Sequence, residues 1–421
     1  MEKYSKWRDA GTGVQPFLPP VSSSGAPIPV LAYKSLAYIV ATFKLAVLVV
    51  IGIAYALVVA LPETLLGWDS GLIPLLLKWP AVTLLRLALL FMGYINISTE
   101  VVSTKRGRMK SNPAIRPVKG DLVVANWTSY IDIIYLAFRF SPTYALPVHA
   151  PPALDPSKSV SLTGRQTGTG SSNIDLPSIS AVPSSPLLGY VPVGLLTMIN
   201  LTGHTPAHTF ATRFSGKDVK LYSLKDLCDK APGPVVLFPE GTTTNGRGLL
   251  RSSEGLFGTE GWEVPVRQRG VWVCWFKHPP PSEFSPSATL SIPDSSSSTN
   301  PLSHLFHSLL CTMATRSLTA RWLHPDCSPS SGDFLPSEIL GLNTGSSSAQ
   351  NKSVSRSAGN MQNDVLAQCL TLIMLQLGRA KQIGMGWEDK TAFLDFWREK
   401  NRRIAKASSK TAESARLKKR R

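Results

Sequence analysis

Between Leu36 and Leu61 the chain carries a single charged residue, Lys44, in an otherwise almost wholly apolar stretch. A run of this length has two destinations. About 20 apolar residues make a helix that matches the hydrocarbon core of a bilayer, and the alternative is a helix wrapped on all sides by a soluble core. Length and apolarity favour lipid, and Lys44 lies near enough to one end for its ammonium to snorkel to the interface. Pro62, Gly67 and Gly71 then break the segment. A second apolar stretch, Leu72 to Ile97, holds Lys78, Pro80 and Arg86. Two charges suit a helix lying in the interface with its basic side chains on the wet side. Lys34 precedes the pair, and Lys105, Arg106, Arg108 and Lys110 follow it. Basic residues on both flanks fit a hairpin or shallow re-entrant anchor with both ends cytosolic better than one clean crossing.

The 421 residues carry a formal charge of +17, so an anionic partner is expected. Nucleic-acid binders concentrate basic and aromatic residues in a recognisable module. None is present, which leaves membrane lipid as the partner and argues against nucleic acid. Five cysteines, odd in number and widely spaced, fit reduced thiols facing the cytosol. His304, His307, Cys311, His324 and Cys327 could supply zinc ligands, but their spacing matches no familiar finger, and no metal is expected.

Around the anchor, assigned to 31–100, the chain divides by composition. Residues 1–30 read as a flexible N-terminus, with Gly11, Gly13, Pro16, Pro19, Pro20 and a serine run. The apolar run starts too late for a signal peptide. A domain over 101–340 carries Ser/Pro/Gly-rich insertions near 150–185 and 281–300 that should be disordered. The remainder, 341–421, is a loop, two helices (Val365 to Leu377 and Glu388 to Lys400) and the basic tail Arg416 to Arg421, either a solvated tail or a segment drawn to anionic lipid.

Within the domain, Gly120 to Ala125, Val235 to Phe238 and Val271 to Phe276 are short apolar runs behind turn signals and read as buried strands. Ile133 to Phe140 reads as a buried helix. Strands alternating with helices give an α/β fold, a mixed sheet flanked by helices behind an N-terminal hydrophobic anchor. Such sheets place their sites at strand carboxyl ends. Two loops lie there: Asn126 to Asp132, and Phe238 to Arg247. In the second, the glycine at 241 lets a backbone N–H approach an anion, Thr242 and Thr243 offer hydroxyls, and Arg247 suits phosphate in a bidentate grip.

These loops resemble those of the glycerolipid acyltransferase family, which has an Asn-led His-x-x-x-x-Asp block and a Phe-Pro-Glu-Gly-Thr block. Phe238-Pro239-Glu240-Gly241-Thr242 matches the second letter for letter, and the extension through Gly246 is similar to the lysophospholipid members. Val264-Pro265-Val266 is similar to a short Val-Pro element of the family, and Leu188 to Pro192 is a fainter echo of the acceptor block. The resemblance covers roughly 118–280, and the layout is closest to fungal lysophosphatidic acid acyltransferases. It implies acyl transfer from acyl-CoA, a co-substrate, to a lysophospholipid acceptor, with no tightly bound cofactor and with catalytic weight on Asp132 and Glu240. Asn126, Ser129, Gly241, Thr242, Thr243 and Arg247 would bind substrate. An endoplasmic reticulum or lipid droplet membrane, with the catalytic domain facing the cytosol, follows from that role.

The departure is at Trp127, which occupies the family's histidine position. An indole offers only an N–H and no base near neutral pH. His149, His204 and His208 are candidate replacement bases, and Asp132 acting directly or through water is another route. Ser129 and Asp132 also form a capping-box pair, so Asp132 has a structural reading of its own. If no base replaces the histidine, the alternative is a catalytically inactive lipid-binding pseudoenzyme with Trp127 lining the pocket.

Overall fold

The computed structural model describes residues 4–21, 28–62, 73–104, 113–150, 185–205, 220–257, 262–282, 284–294, 300–312, 315–340 and 364–419. The expected insertion near 150–185 and the 341–363 loop lie outside the described residues, as does His208.

Nine strands and seven principal helices are used below. In chain order they are α1 (Ile28–Tyr55), α2 (Ile73–Phe91), β1 (Ile97–Val102), β2 (Leu122–Ala125), α3 (Tyr130–Phe140), β3 (Thr143–His149), β4 (Leu187–Val193), α4 (Leu195–Leu201), α5 (Leu224–Lys230), β5 (Val235–Leu237), β6 (Gly248–Leu249), β7 (Val271–Lys277), β8 (Leu318–Leu323), α6 (Val365–Gly378), β9 (Lys381–Gln382) and α7 (Trp387–Lys419). Seven strands form one sheet in the order β1-β8-β7-β2-β5-β3-β4. Its centre is parallel: β2 lies between β7 and β5, parallel to both, and β5 is parallel to β3. The outer pairs β7–β8 and β3–β4 are antiparallel.

The central strands are apolar at every position because both faces of the sheet are covered. The two-residue side-chain period sorts them. Val123, Ala125, Cys274 and Phe276 join one cluster with residues of α1 to α4, while Leu122, Val124, Val271, Val273 and Trp275 join a second with α5 and α6.

The N-terminus is not a free lead-in among the described residues. Trp7 and Phe17 are buried against Phe393 and Leu394 of α7. Asn245 ties the segment down, its Nδ2 donating to the carbonyls of Gln15 at 2.7 Å and Leu18 at 2.9 Å. The glycines and prolines that signal flexibility here shape a strap, and its aromatic residues supply the burial that fixes it. The second apolar stretch forms α2. Its Arg86 reaches forward to donate to the Tyr94 and Ile95 carbonyls at 3.2 and 2.6 Å, holding the turn that follows the helix.

Candidate active site

Three adjacent parallel strands, β7, β2 and β5, end on the same edge of the sheet. Each sends one loop onto that edge: Asn126–Ser129 from β2, Phe238–Asn245 from β5, and Lys277–Pro279 from β7. This is the edge at which an α/β sheet builds its site.

The β2 loop ends in the first turn of α3. Ser129 is its N-cap, with Oγ accepting from the Ile131 N–H at 3.2 Å and donating to the Ala288 carbonyl at 2.7 Å. Asp132 closes the capping box. Its Oδ2 accepts from the Thr128 N–H at 3.0 Å, the Thr128 hydroxyl at 2.7 Å and the Ser129 N–H at 2.9 Å. The cap holds one carboxylate oxygen and leaves Oδ1 free to do something else. Oδ1 faces the Nε2 of His278, 2.7 Å away. The structural and chemical readings of Asp132 are therefore compatible, one for each oxygen.

His278 stands directly after β7, and its side chain is 3% exposed against 0% for Asp132. Asp132 can only accept when ionised, so in the neutral ring Nε2 carries the hydrogen and Nδ1 the lone pair. That Nδ1 is buried and has no partner among the described residues. A buried acceptor without a donor costs free energy and is where a substrate hydroxyl would complete the set. Asn126 fixes the strand that delivers this histidine. Its Oδ1 accepts from the Phe276 N–H at 2.6 Å and its Nδ2 donates to the Phe276 carbonyl at 3.1 Å, two residues before His278.

The Phe-Pro-Glu-Gly-Thr loop is built as a scaffold under these groups. Glu240 is 1% exposed; its Oε1 accepts from the Leu250 N–H at 3.0 Å and its Oε2 from the Trp127 N–H at 3.3 Å. It thereby ties the β5 loop to the β2 loop. Burial pushes its carboxyl up to about 8, opposed by those two N–H groups and by Lys390. Lys390 of α7 is fully buried and donates to the Thr243 carbonyl at 2.7 Å and hydroxyl at 3.0 Å; burial drives its pKa down. Gly241 takes a positive φ of 63°, the turn that a glycine allows, and its N–H returns to the Phe238 carbonyl. Thr242 donates to the His204 carbonyl at 2.9 Å, and the Thr243 hydroxyl accepts from the Gly203 N–H at 3.0 Å. The Gly241 N–H and the Thr242 hydroxyl thus donate to protein carbonyls, and the Thr243 hydroxyl accepts from Gly203 and Lys390. Arg247 is exposed beside Gly246, where an added Cβ would meet Thr128 at 3.4 Å, so its backbone neighbour lies against the Asp132 cradle.

Trp127 is fully buried and stacks on Phe238 with ring centroids 5.1 Å apart. One of the three candidate bases goes elsewhere. His149 Nδ1 is paired with the Ser185 carbonyl at 3.1 Å and its ring stacks on Trp387; burial lowers its pKa. His204 contributes its backbone to the Thr242 bond. The histidine that meets Asp132 was not singled out from the sequence, and neither was Lys390. A histidine at the exit of a buried strand, on the edge where both motif loops sit, is the signal that would have found it.

A carboxylate-oriented imidazole with an unpaired nitrogen is an arrangement that can remove a proton from a hydroxyl that reaches it as the hydroxyl attacks a carbonyl. Among known proteins, the chain is 24% identical over 264 residues to a Schizosaccharomyces pombe protein, "Putative lysophosphatidic acid:oleoyl-CoA acyltransferase". The chain is similar to an acyltransferase. The match covers 60% of this chain and 66% of that protein, just under two thirds of its length. No protein-family model and no solved structure matches.

Proposed function

We propose that this chain transfers an acyl group from acyl-CoA to the free hydroxyl of a lysophospholipid, lysophosphatidic acid first among them. The observation that carries the reading is the 2.7 Å contact between His278 Nε2 and Asp132 Oδ1, with His278 Nδ1 buried and unpaired among the described residues. His278 is then the base in place of a histidine at 127. Nδ1 takes the proton of the acceptor hydroxyl as its oxygen attacks the thioester carbonyl carbon. A C–O bond forms, the C–S bond breaks, and the CoA thiolate leaves, taking the proton back from Nδ1. Asp132 holds the tautomer throughout and stabilises the transient imidazolium. Arg247 is the residue for the acceptor phosphate, where a guanidinium offers a bidentate grip. Holding two substrates in register contributes the rest, since a thioester is already a reactive acyl donor. The relative's printed substrates and the apolar N-terminal helix support a lipid substrate at a membrane, and the cytosolic face of the endoplasmic reticulum or a lipid droplet is the expected place.

The test is transfer from radiolabelled acyl-CoA to a panel of lysophospholipids by the purified full chain and by His278→Asn. The proposal expects product from the wild type and a loss of about 10²-fold or more in the variant, the usual scale of general-base catalysis. Lipid binding without transfer by the wild type would support the pseudoenzyme instead, and undiminished transfer by His278→Asn would remove the histidine from the mechanism.

A further inference from the structure

One length comparison decides how α1 meets a membrane. Ala37, Ala41, Leu48 and Tyr55 of α1 and Val59 of the π-helical turn Ala56–Ala60 that continues it are buried, a stripe at helical spacing. All but Ala37 belong to the same core cluster as Leu89 of α2, Tyr144 of β3 and Leu305 and Leu309. The stripe runs about 33 Å at 1.5 Å per residue, the full hydrocarbon thickness of about 30 Å. Polar anchors lie along it. The Tyr38 ring lies 6.1 Å from that of Phe306 and 6.3 Å from that of His307, and Lys44 Nζ donates to the Thr312 carbonyl at 3.0 Å. If α1 crossed a bilayer, the elements docked along it would enter the hydrocarbon with it. Those include the π-helical turn Leu305–Leu310 packed on α1, whose Ser308 carbonyl accepts from Arg316, a cation that also donates to the Pro286 carbonyl of an irregular segment. Irregular backbone and buried cations of this kind do not face lipid tails.

The opposite face points to what covers it. Ile39, Phe43, Val50 and Leu57 are 70%, 67%, 66% and 60% exposed and fall on one outward stripe, spaced 4, 7 and 7 residues apart. Lys44 is the one charged residue from Ser35 to Leu61, and it turns towards Thr312. A water-facing helix would carry charge on that stripe. On α2, Trp79 is 78% exposed next to the exposed Lys78, and Leu87 and Leu90 are open as well. An aromatic and a cation side by side are the pair that sits at headgroup level.

We propose that α1 lies in the plane of a single phospholipid leaflet, docked on the domain along one face and immersed in acyl chains along the other. It does not span the bilayer. The attachment is independent of the catalytic reading and stands or falls apart from it. A formal charge of +17 adds attraction to an anionic leaflet.

The experiment uses the full chain reconstituted in vesicles of phosphatidylcholine and phosphatidic acid. A single added cysteine, Ile39→Cys, Val50→Cys or Leu57→Cys, carries an environment-sensitive fluorophore, and the unsubstituted chain taken through the same labelling sets the background from native cysteines. Quenching by lipids spin-labelled near the headgroup is compared with quenching by lipids labelled deep in the acyl chain. The proposal expects the same shallow-to-deep ratio at all three positions, in the apolar part of one leaflet. Ile39 and Leu57 lie about 27 Å apart along the helix, so a spanning α1 would give a deep Val50 between two shallow ends and overturn it. Labels that stay in water at all three positions would overturn it equally.

Discussion

Replacing Asn126 by alanine should damage the site from a distance, through the strand that carries His278. The amide is 1% exposed and makes two hydrogen bonds to the backbone of Phe276. Alanine leaves the Phe276 N–H and carbonyl buried without partners, at about 1–3 kcal/mol each. A central value of about 4 kcal/mol for the two corresponds to a fall of roughly 8–16 °C in melting temperature for a domain of this size. The same change frees the exit of β7 two residues before the imidazole. A displacement on the order of 1 Å at a reacting group can cost about 10²-fold in rate, so kcat should drop by one to two orders of magnitude with KM for acyl-CoA little changed. Thermal unfolding of the detergent-solubilised chain gives the first number, and initial-rate transfer well below the variant's own melting temperature gives the second. Asn126→Asp keeps an acceptor for the Phe276 N–H and should fall between the two. A melting temperature within about 1 °C of wild type, or full kcat in a folded Asn126→Ala, would refute the clamp.

Three further outcomes follow from the same geometry. Asp132→Asn keeps an oxygen for the cap but no longer holds the Nε2–H tautomer of His278, and transfer should fall by about 10²–10⁴-fold, read as initial rate in a chain shown to be folded by its circular dichroism. Burial, with Arg316 adding to it, lowers the pKa of His304 from 6.5 to about 4; the unfolded chain then binds the extra proton first, so stability is lost as pH falls from about 6.5 towards 4. The full effect is about 3 kcal/mol, and melting curves of His304→Phe should show a flatter slope in that window. Lys390→Met removes the buried amine that donates to the Thr243 carbonyl and hydroxyl and should cost about 1–3 kcal/mol for the buried carbonyl left without that donor, read in denaturant titrations.

Much of the framework could be read from local pattern. The three central strands, the helix after β2 and the capping box at Ser129 and Asp132 are each specified by a few consecutive residues, because burial on both faces demands unbroken apolar runs. The mixed α/β sheet flanked by helices follows from them. What escaped the sequence depends on strand order. His278 follows a strand and opens a proline run, which locally reads as a loop exit. Its meeting with Asp132, 146 residues away, follows only once β7 is known to lie parallel beside β2. Lys390 was hidden for the reverse reason: on an amphipathic helix a lysine reads as solvated, and only tertiary packing turns it inward beneath Thr243. The hydroxyls of Thr242 and Thr243 look like ligand donors in a linear text, yet the backbone groups of Gly203 and His204 engage them first. Residues 36–61 are long and apolar enough for a membrane helix by length and composition alone, and in the proposed attachment the stripe that the domain covers is what separates crossing from lying flat.

The account's central claim is that His278 and Asp132 act as one unit, and a double-mutant cycle on kcat tests it most directly. His278→Asn, Asp132→Asn and the double variant would be assayed with the same acyl-CoA and lysophosphatidic acid in the same reconstituted membranes. A catalytic unit loses its function once, so the double variant should be no slower than the worse single variant. Losses that multiply, or single variants that retain wild-type kcat, would contradict it.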